Sequence, residues 1–159
     1  MNNSKFLKLV SEETLKLDAV DGSRTFATEK NVSWLDSNYQ KWNAIEAGIP
    51  TPETEILIYE LVGSANIAMI FGSFNQDPEA LCFTQDQILN FTEKHKNWLQ
   101  KNLFATFLLF KANGKFYVCD VPFLSGKDLW ISIDQFGAIY RWKPEDRRNI
   151  VIPKLGIQH

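Results

Sequence analysis

The segment from Thr84 to Gln100 constrains the fold more than any other stretch of the chain. Thr84 has the character of a helix N-cap, and Asp86 puts an acid in the first turn where the helix dipole favours it. Gln87 stands three residues after the cap as a capping-box partner. Ile88, Phe91, His95, Trp98 and Leu99 recur at spacings of three and four and share one face, while Asp86, Asn90, Lys94, Asn97 and Lys101 lie largely on the other. One long amphipathic helix is predicted, with an apolar stripe that needs a sheet to cover it.

The following residues supply that sheet. Leu103 to Phe110 and Lys115 to Val121 are joined by Ala112-Asn113-Gly114, where Asn-Gly provides the positive φ of a tight hairpin. A strand over Leu129 to Asp134 follows the turn Ser125-Gly126-Lys127-Asp128. Gly137 then punctuates before Ala138 to Trp142, and Asn149 to Ile152 closes the series ahead of Pro153.

Upstream, Leu15, Leu17 and Ala19 alternate with Lys16 and Asp18 before Asp21-Gly22, which reads as a hairpin over Thr14 to Thr28. Val32 to Trp42 is open between a strand and a helical turn around Asp36 to Trp42. Gly48-Ile-Pro-Thr-Pro52 punctuates the chain, since each proline forces extended geometry on the residue before it. Thr51-Pro52-Glu53 resembles a helix start, but the β-branched and aromatic run Ile56 to Val62 favours a hairpin through Gly63-Ser64 into Ile67 to Phe71, with helix as the alternative. Gly72 to Pro78 is loop. The expected fold class is α+β: a single domain over residues 1–159, an antiparallel β-sheet meander with one long amphipathic helix packed on it, and residues 1–12 and 154–159 frayed.

A chain of 159 residues that is 45% hydrophobic and 13% aromatic has the material for one substantial core. Its formal net charge of -2 gives no global drive toward nucleic acid or an anionic membrane. The apolar runs are too short to cross a bilayer, and the N-terminus, broken by Lys8, does not read as a secretory signal. A soluble, cytoplasmic protein is expected. Cys82 and Cys119 lack metal-ligand or CxxC spacing, so neither a disulfide framework nor a metal site is indicated. Signatures for nucleotide triphosphates, dinucleotides, zincins and α/β-hydrolases are missing, and no cofactor is expected.

The stretch Leu81-Cys-Phe-Thr-Gln-Asp-Gln-Ile88, with Phe91, Glu93-Lys-His95, Trp98-Leu99 and Ala105-Thr106-Phe107-Leu108-Leu109-Phe110-Lys111, resembles a family of small uncharacterised bacterial proteins of unknown function. Asp21-Gly22-Ser-Arg-Thr and Asp36-Ser37 ahead of Trp42 fit the same pattern, and the likeness runs from about Thr14 to about Val151. It implies no activity.

Candidate sites come from the residues themselves. In Leu129 to Asp134, the apolar Leu129, Ile131 and Ile133 claim one strand face and leave Trp130 on the other with Ser132 and Asp134. Tyr140 and Trp142 share a face of the next expected strand, alternating with Arg141 and Lys143, and Arg147 and Arg148 follow. Trp130, Tyr140, Arg141 and Trp142 thus make an aromatic and basic surface suited to stacking a sugar, base or peptide side chain and anchoring an acidic group. Alternatively, a second layer such as the N-terminal hairpin covers these rings as core.

His95 reads as a packing residue on the helix stripe. The leading expectation is a non-enzymatic binding or interaction domain with an unidentified ligand or protein partner. The alternative is a small enzyme built around His95 with Cys119 or Asp120 brought near. Cys82, just ahead of a helix start, is a thiol whose pKa that dipole would lower. Nothing in the sequence specifies an oligomeric state.

Overall fold

The computed structural model describes residues 5–11, 13–102, 105–122 and 129–155. Three expected features fall outside or partly outside this range: the turn at Ser125 to Asp128, the start of the strand at Leu103, and the outermost residues of the segments 1–12 and 154–159.

Asn113 and Gly114 both have positive φ, 51° and 80°, which makes the tight turn between β5 (Ala105–Ala112) and β6 (Lys115–Val121). β7 (Leu129–Gln135) pairs antiparallel with β6 in the register Asp120 with Ser132 and Val118 with Asp134. The meander stops there. β8 (Arg148–Pro153) crosses to the far side of β5, lies parallel to it, and pairs antiparallel with β4 (Thr54–Leu61).

β1 (Leu7–Leu9) and β2 (Leu15–Leu17) pair with successive halves of β4, and β3 (Val32–Leu35) pairs parallel with β7 at the opposite edge. The spatial order is β1-β4-β8-β5-β6-β7-β3, with β2 beside β4. This mixed sheet, eight-stranded among the described residues, corrects the expected antiparallel meander. The reason lies in β8: Asn149, Ile150, Val151 and Ile152 are all buried, so both faces of this strand need cover and an edge position would expose one of them.

The single long helix is also corrected. α3 (Gln85–Lys94) ends at His95, whose φ of -111° and ψ of 31° leave the helical region, and α4 (Lys96–Asn102) restarts after it. His95 Nε2 sits 2.8 Å from the Lys16 carbonyl, a contact that draws the ring toward β2 and ties down the break.

α3 has no solvated polar face over its first two turns. Gln85, Asp86, Gln87, Asn90 and Thr92 are all buried, because residues 18–26 lie across them. Asp86 accepts from Gly22 N at 2.9 Å and from Arg24 Nε at 2.7 Å. Asn90 Oδ1 accepts from Asp18 N at 2.9 Å, and Gln85 bridges Phe26 N, the Tyr39 hydroxyl and the Ala44 carbonyl.

The predicted hairpin over Thr14 to Thr28 is therefore a strand followed by a strap over the helix. Asp21-Gly22 serves a different purpose from a hairpin turn: Gly22, at φ 84°, has no room for a Cβ, which would lie 2.3 Å from the Ile49 carbonyl oxygen.

Two further expectations change. Asn66 caps Met69 N at 2.9 Å and turns Ile67–Gly72 into a helix, α2, where a second hairpin arm was expected after β4. Ala138 to Trp142 is loop, held at one point by reciprocal Ala65 and Trp142 backbone bonds of 2.9 and 2.8 Å. The helical turn after β3 is α1 (Asn38–Lys41).

The core forms two clusters on opposite faces of the sheet. Ile88, Phe91, Leu99, Phe110, Cys119 and Ile131 belong to the helix side, and Phe71, Phe107, Leu109, Val118 and Ile150 to the other. Among the described residues no helix is long and apolar enough to cross a membrane.

Three stability tests follow from α3. Thr84 and Gln87 exchange backbone and side-chain hydrogen bonds of 2.9 and 3.0 Å, so Thr84→Ala should lower unfolding free energy by about 0.5–2 kcal/mol in urea titration. Asp86→Ala leaves the Gly22 amide and Arg24 without their buried acceptor and should cost about 3 kcal/mol or more by the same measurement. Glu93, more exposed at 41% of its side chain, also binds Arg24, and Glu93→Gln should cost under about 1 kcal/mol.

Candidate functional site

Alternation along β7 sends Leu129, Ile131 and Ile133 into the helix-side core and leaves Trp130, Ser132 and Asp134 on the opposite face. Trp130 is 54% exposed. Its neighbour is Trp34 of β3, 47% exposed, with ring centres 6.3 Å apart and planes tilted by 51°. Asp36 holds this parallel edge strand in place, donating its N–H to the Ile131 carbonyl at 2.9 Å and accepting from Ile133 N at 3.1 Å.

Moving inward across the same face, Asp120 on β6 stands opposite Ser132, and Phe107 on β5 stands opposite Asp120. Arg148, at the start of β8, lies on the side of Ile150 and reaches back over Phe107. Its guanidinium is 5.7 Å from the Phe107 ring centre and 4.6 Å from that of Trp142, and Nη2 is 3.5 Å from Asp120 Oδ2. Trp142 packs edge-on against Phe107 at 5.2 Å, and Tyr140, 56% exposed, packs edge-on against Trp142 at 4.7 Å.

Five adjacent strands carry these groups, from β3 to β8. At the usual strand separation the surface is roughly 20 Å across.

The polar middle of this face is electrostatically unsettled. Asp120 Oδ1 and Arg148 Nε are buried without a hydrogen-bond partner among the described residues. Burial pushes the Asp120 carboxyl up to about 6; the Asp134 charge adds to that rise and Arg148 opposes it. Asp134 is raised as well, first by burial and then by Asp36.

The four residues expected to form one surface therefore have different parts in it. Trp130 and Tyr140 are open to solvent at opposite ends, and Trp142 is half-buried between Tyr140 and the Arg148 guanidinium. Arg141 points away into structural work, with Nη2 donating to the Ser64 carbonyl at 2.9 Å and Nη1 lying 3.4 Å from Met69 Sδ. Because Ala138 to Trp142 is loop, the rings of Tyr140 and Trp142 meet through a bend of the chain. Residues 18–26 do not cover Trp130; they are committed to α3.

Of the residues of the alternative enzyme site, Asp120 lies on the opposite face of the sheet from His95 and Cys119. Cys119 faces the helix-side core and neighbouring Asp120 faces the opposite side of the sheet, whereas His95, at the end of α3, packs on the helix side against Phe91. The His95 ring nitrogen is engaged with Lys16. Burial drives the Cys119 thiol well above its usual range and, with Glu79 nearby, pushes Cys82 up to about 12, the reverse of the lowering expected from its place ahead of a helix start. Among the described residues no three His, Cys, Asp or Glu side chains converge as a metal site.

Trp34 was not singled out for this surface from the sequence, and Arg148 was noted beside it without its partner Asp120. Trp34 joins Trp130 only through the parallel pairing of β3 with β7, and Arg148 meets Asp120 only because β8 enters the sheet interior.

Asp120 makes this site pH-sensitive. Between its ordinary value of 3.8 and about 6 the folded state keeps a proton that the unfolded chain has lost, so this group's contribution to stability falls as pH rises through that window. Relative to Asp120→Asn, the native protein should gain about 2 kcal/mol on going from about pH 7 to about pH 4, measured by denaturant unfolding at each pH.

Neither a protein-family model nor a curated protein nor a solved structure matches this chain, so the reading of its site rests on the geometry described above.

Proposed function

We propose that the protein is a non-enzymatic binding domain whose contact surface is the sheet face running from Trp34 and Trp130 to Trp142 and Tyr140. The observation that carries this reading is the Trp34 and Trp130 pair: two large rings side by side on adjacent strands, each about half open to water. Aromatic rings of this kind supply contact area at low entropic cost, which is why they dominate binding hot spots.

Arg148 and Phe107 hold Trp142 in place beneath Tyr140, and Arg141 anchors the loop that carries both rings. Carboxylates outnumber the one guanidinium on the polar floor, which disfavours nucleic acid as the partner. The free thiols at Cys82 and Cys119 suit a reducing compartment such as the cytoplasm.

The reading is tested by comparing two tryptophans. Trp130→Ala should cost less than about 1 kcal/mol of stability, as an exposed substitution does, whereas Trp142→Ala should cost about 3 kcal/mol or more by leaving a gap against Phe107 and Arg148. In a fluorescence-monitored panel of saccharides, peptides and amines, ligands of the native protein should bind Trp130→Ala about tenfold or more weakly. A thermal melt in which Trp130→Ala falls as far as Trp142→Ala makes the ring a core element and overturns the proposal, as does a panel in which every ligand is indifferent to Trp130.

A further inference from the structure

The chemistry between the rings narrows the class of ligand, on the premise that this face is a binding surface. Ser132 and Asp134 are half-buried on β7 directly beyond Trp130, and among the described residues neither side chain has a hydrogen-bond partner. Beside them lie the Asp120 carboxyl, with one oxygen unmatched, and Arg148, with Nε unmatched. A purely apolar ligand would leave the half-buried Ser132 hydroxyl and Asp134 carboxyl dry and unpaired, which is costly. An anionic ligand would meet Asp120, Asp134 and Asp36 against a single guanidinium already shared with Asp120 and Trp142.

A simple cation would be drawn by the carboxylates but repelled by Arg148. In addition, the two edge tryptophans lie side by side, with planes 51° apart, and do not box in a point charge. What remains is a neutral ligand that both donates and accepts hydrogen bonds around its rim and offers a flat face of C–H groups to an aromatic ring. Pyranose rings have this character: their C–H faces meet the negative face of an indole, and their hydroxyls satisfy mixed donors and acceptors.

We propose that this face binds a neutral oligosaccharide, with Trp34 and Trp130 stacking on sugar rings at the sheet edge and Ser132 and Asp134 taking hydroxyl hydrogen bonds beside them. Tyr140, exposed beyond Trp142 at the far end, gives a second ring platform. The roughly 20 Å between the two ends calls for a chain of several sugars in place of one.

Affinity electrophoresis of the full chain in native gels cast with hydroxyethyl cellulose, galactomannan, soluble starch or polygalacturonate, followed by a neutral-glycan array, tests this. At least one neutral glycan should retard or bind the protein, and polygalacturonate should not. Trp34→Ala and Trp130→Ala should each weaken that binding about tenfold or more while keeping the native melting curve, and Asp134→Asn should weaken it about threefold or more.

Neutral-glycan binding that survives both tryptophan substitutions places the sugar elsewhere and overturns the proposal. No binding to any neutral glycan, or binding only to polygalacturonate, overturns it as well. If peptides or amines then bind in a Trp130-dependent way, the aromatic face remains a binding surface and only the saccharide assignment falls.

Discussion

The buried carboxylate of Asp86 is the contact on which the arrangement of the rest depends. It stands in the first turn of α3 and receives the Gly22 amide and the Arg24 guanidinium, so that residues 18–26 are laid along a helix surface that would otherwise be wet. Asn90, Gln85 and the His95 ring continue the same row of attachments to Asp18, Phe26 and Lys16. A carboxylate this deep is tolerable only because charge and amide partners meet it together. Since residues 18–26 are spent on covering the helix, they do not cover the other face of the sheet, and Trp34 and Trp130 there stay open.

Both faces of the central strands are thus used, for different ends. The helix side is closed by α3, α4 and the strap. The opposite side is closed near Phe71, Leu81 and Leu109 but grades into the Asp120–Arg148 pair and then into exposed rings. The transition is made by one long side chain: the Arg148 stem leaves an apolar core, its guanidinium lies on Trp142 and Phe107, and its end reaches a carboxylate.

Much of this was legible in local sequence. The Thr84 cap, the Asn113-Gly114 turn and the outward placement of Trp130 all follow from short-range rules, because each depends on residues within a turn or a strand of one another. Long-range matters were not legible. The acids and amides of α3 read as a solvated face, since nothing nearby shows that a strap sixty or so residues upstream will satisfy them. Pairing each strand with its sequence neighbour gave a meander, whereas the unbroken apolar run Ile150-Val151-Ile152 carried the signal for an interior strand. The break at His95 depends on a carbonyl of β2 and has no local marker. The Trp34 and Trp130 pair lies beyond pattern reading because its register is set by β7 at one edge of the completed sheet.

The interior position of β8 governs how the chain can be assembled. This strand is the last of the sheet in sequence, yet it separates β4 from β5, so the two halves of the sheet have no ladder between them until Arg148 to Ile152 arrive. During synthesis, β5, β6 and β7 can form as a local unit, but β4 must wait with one edge unpaired until the ribosome has delivered Arg148 to Pro153. An apolar edge held open for that long is an invitation to pair with a strand of another molecule. For this protein, the rate at which β8 inserts therefore sets the interval in which a nascent chain is exposed to aggregation.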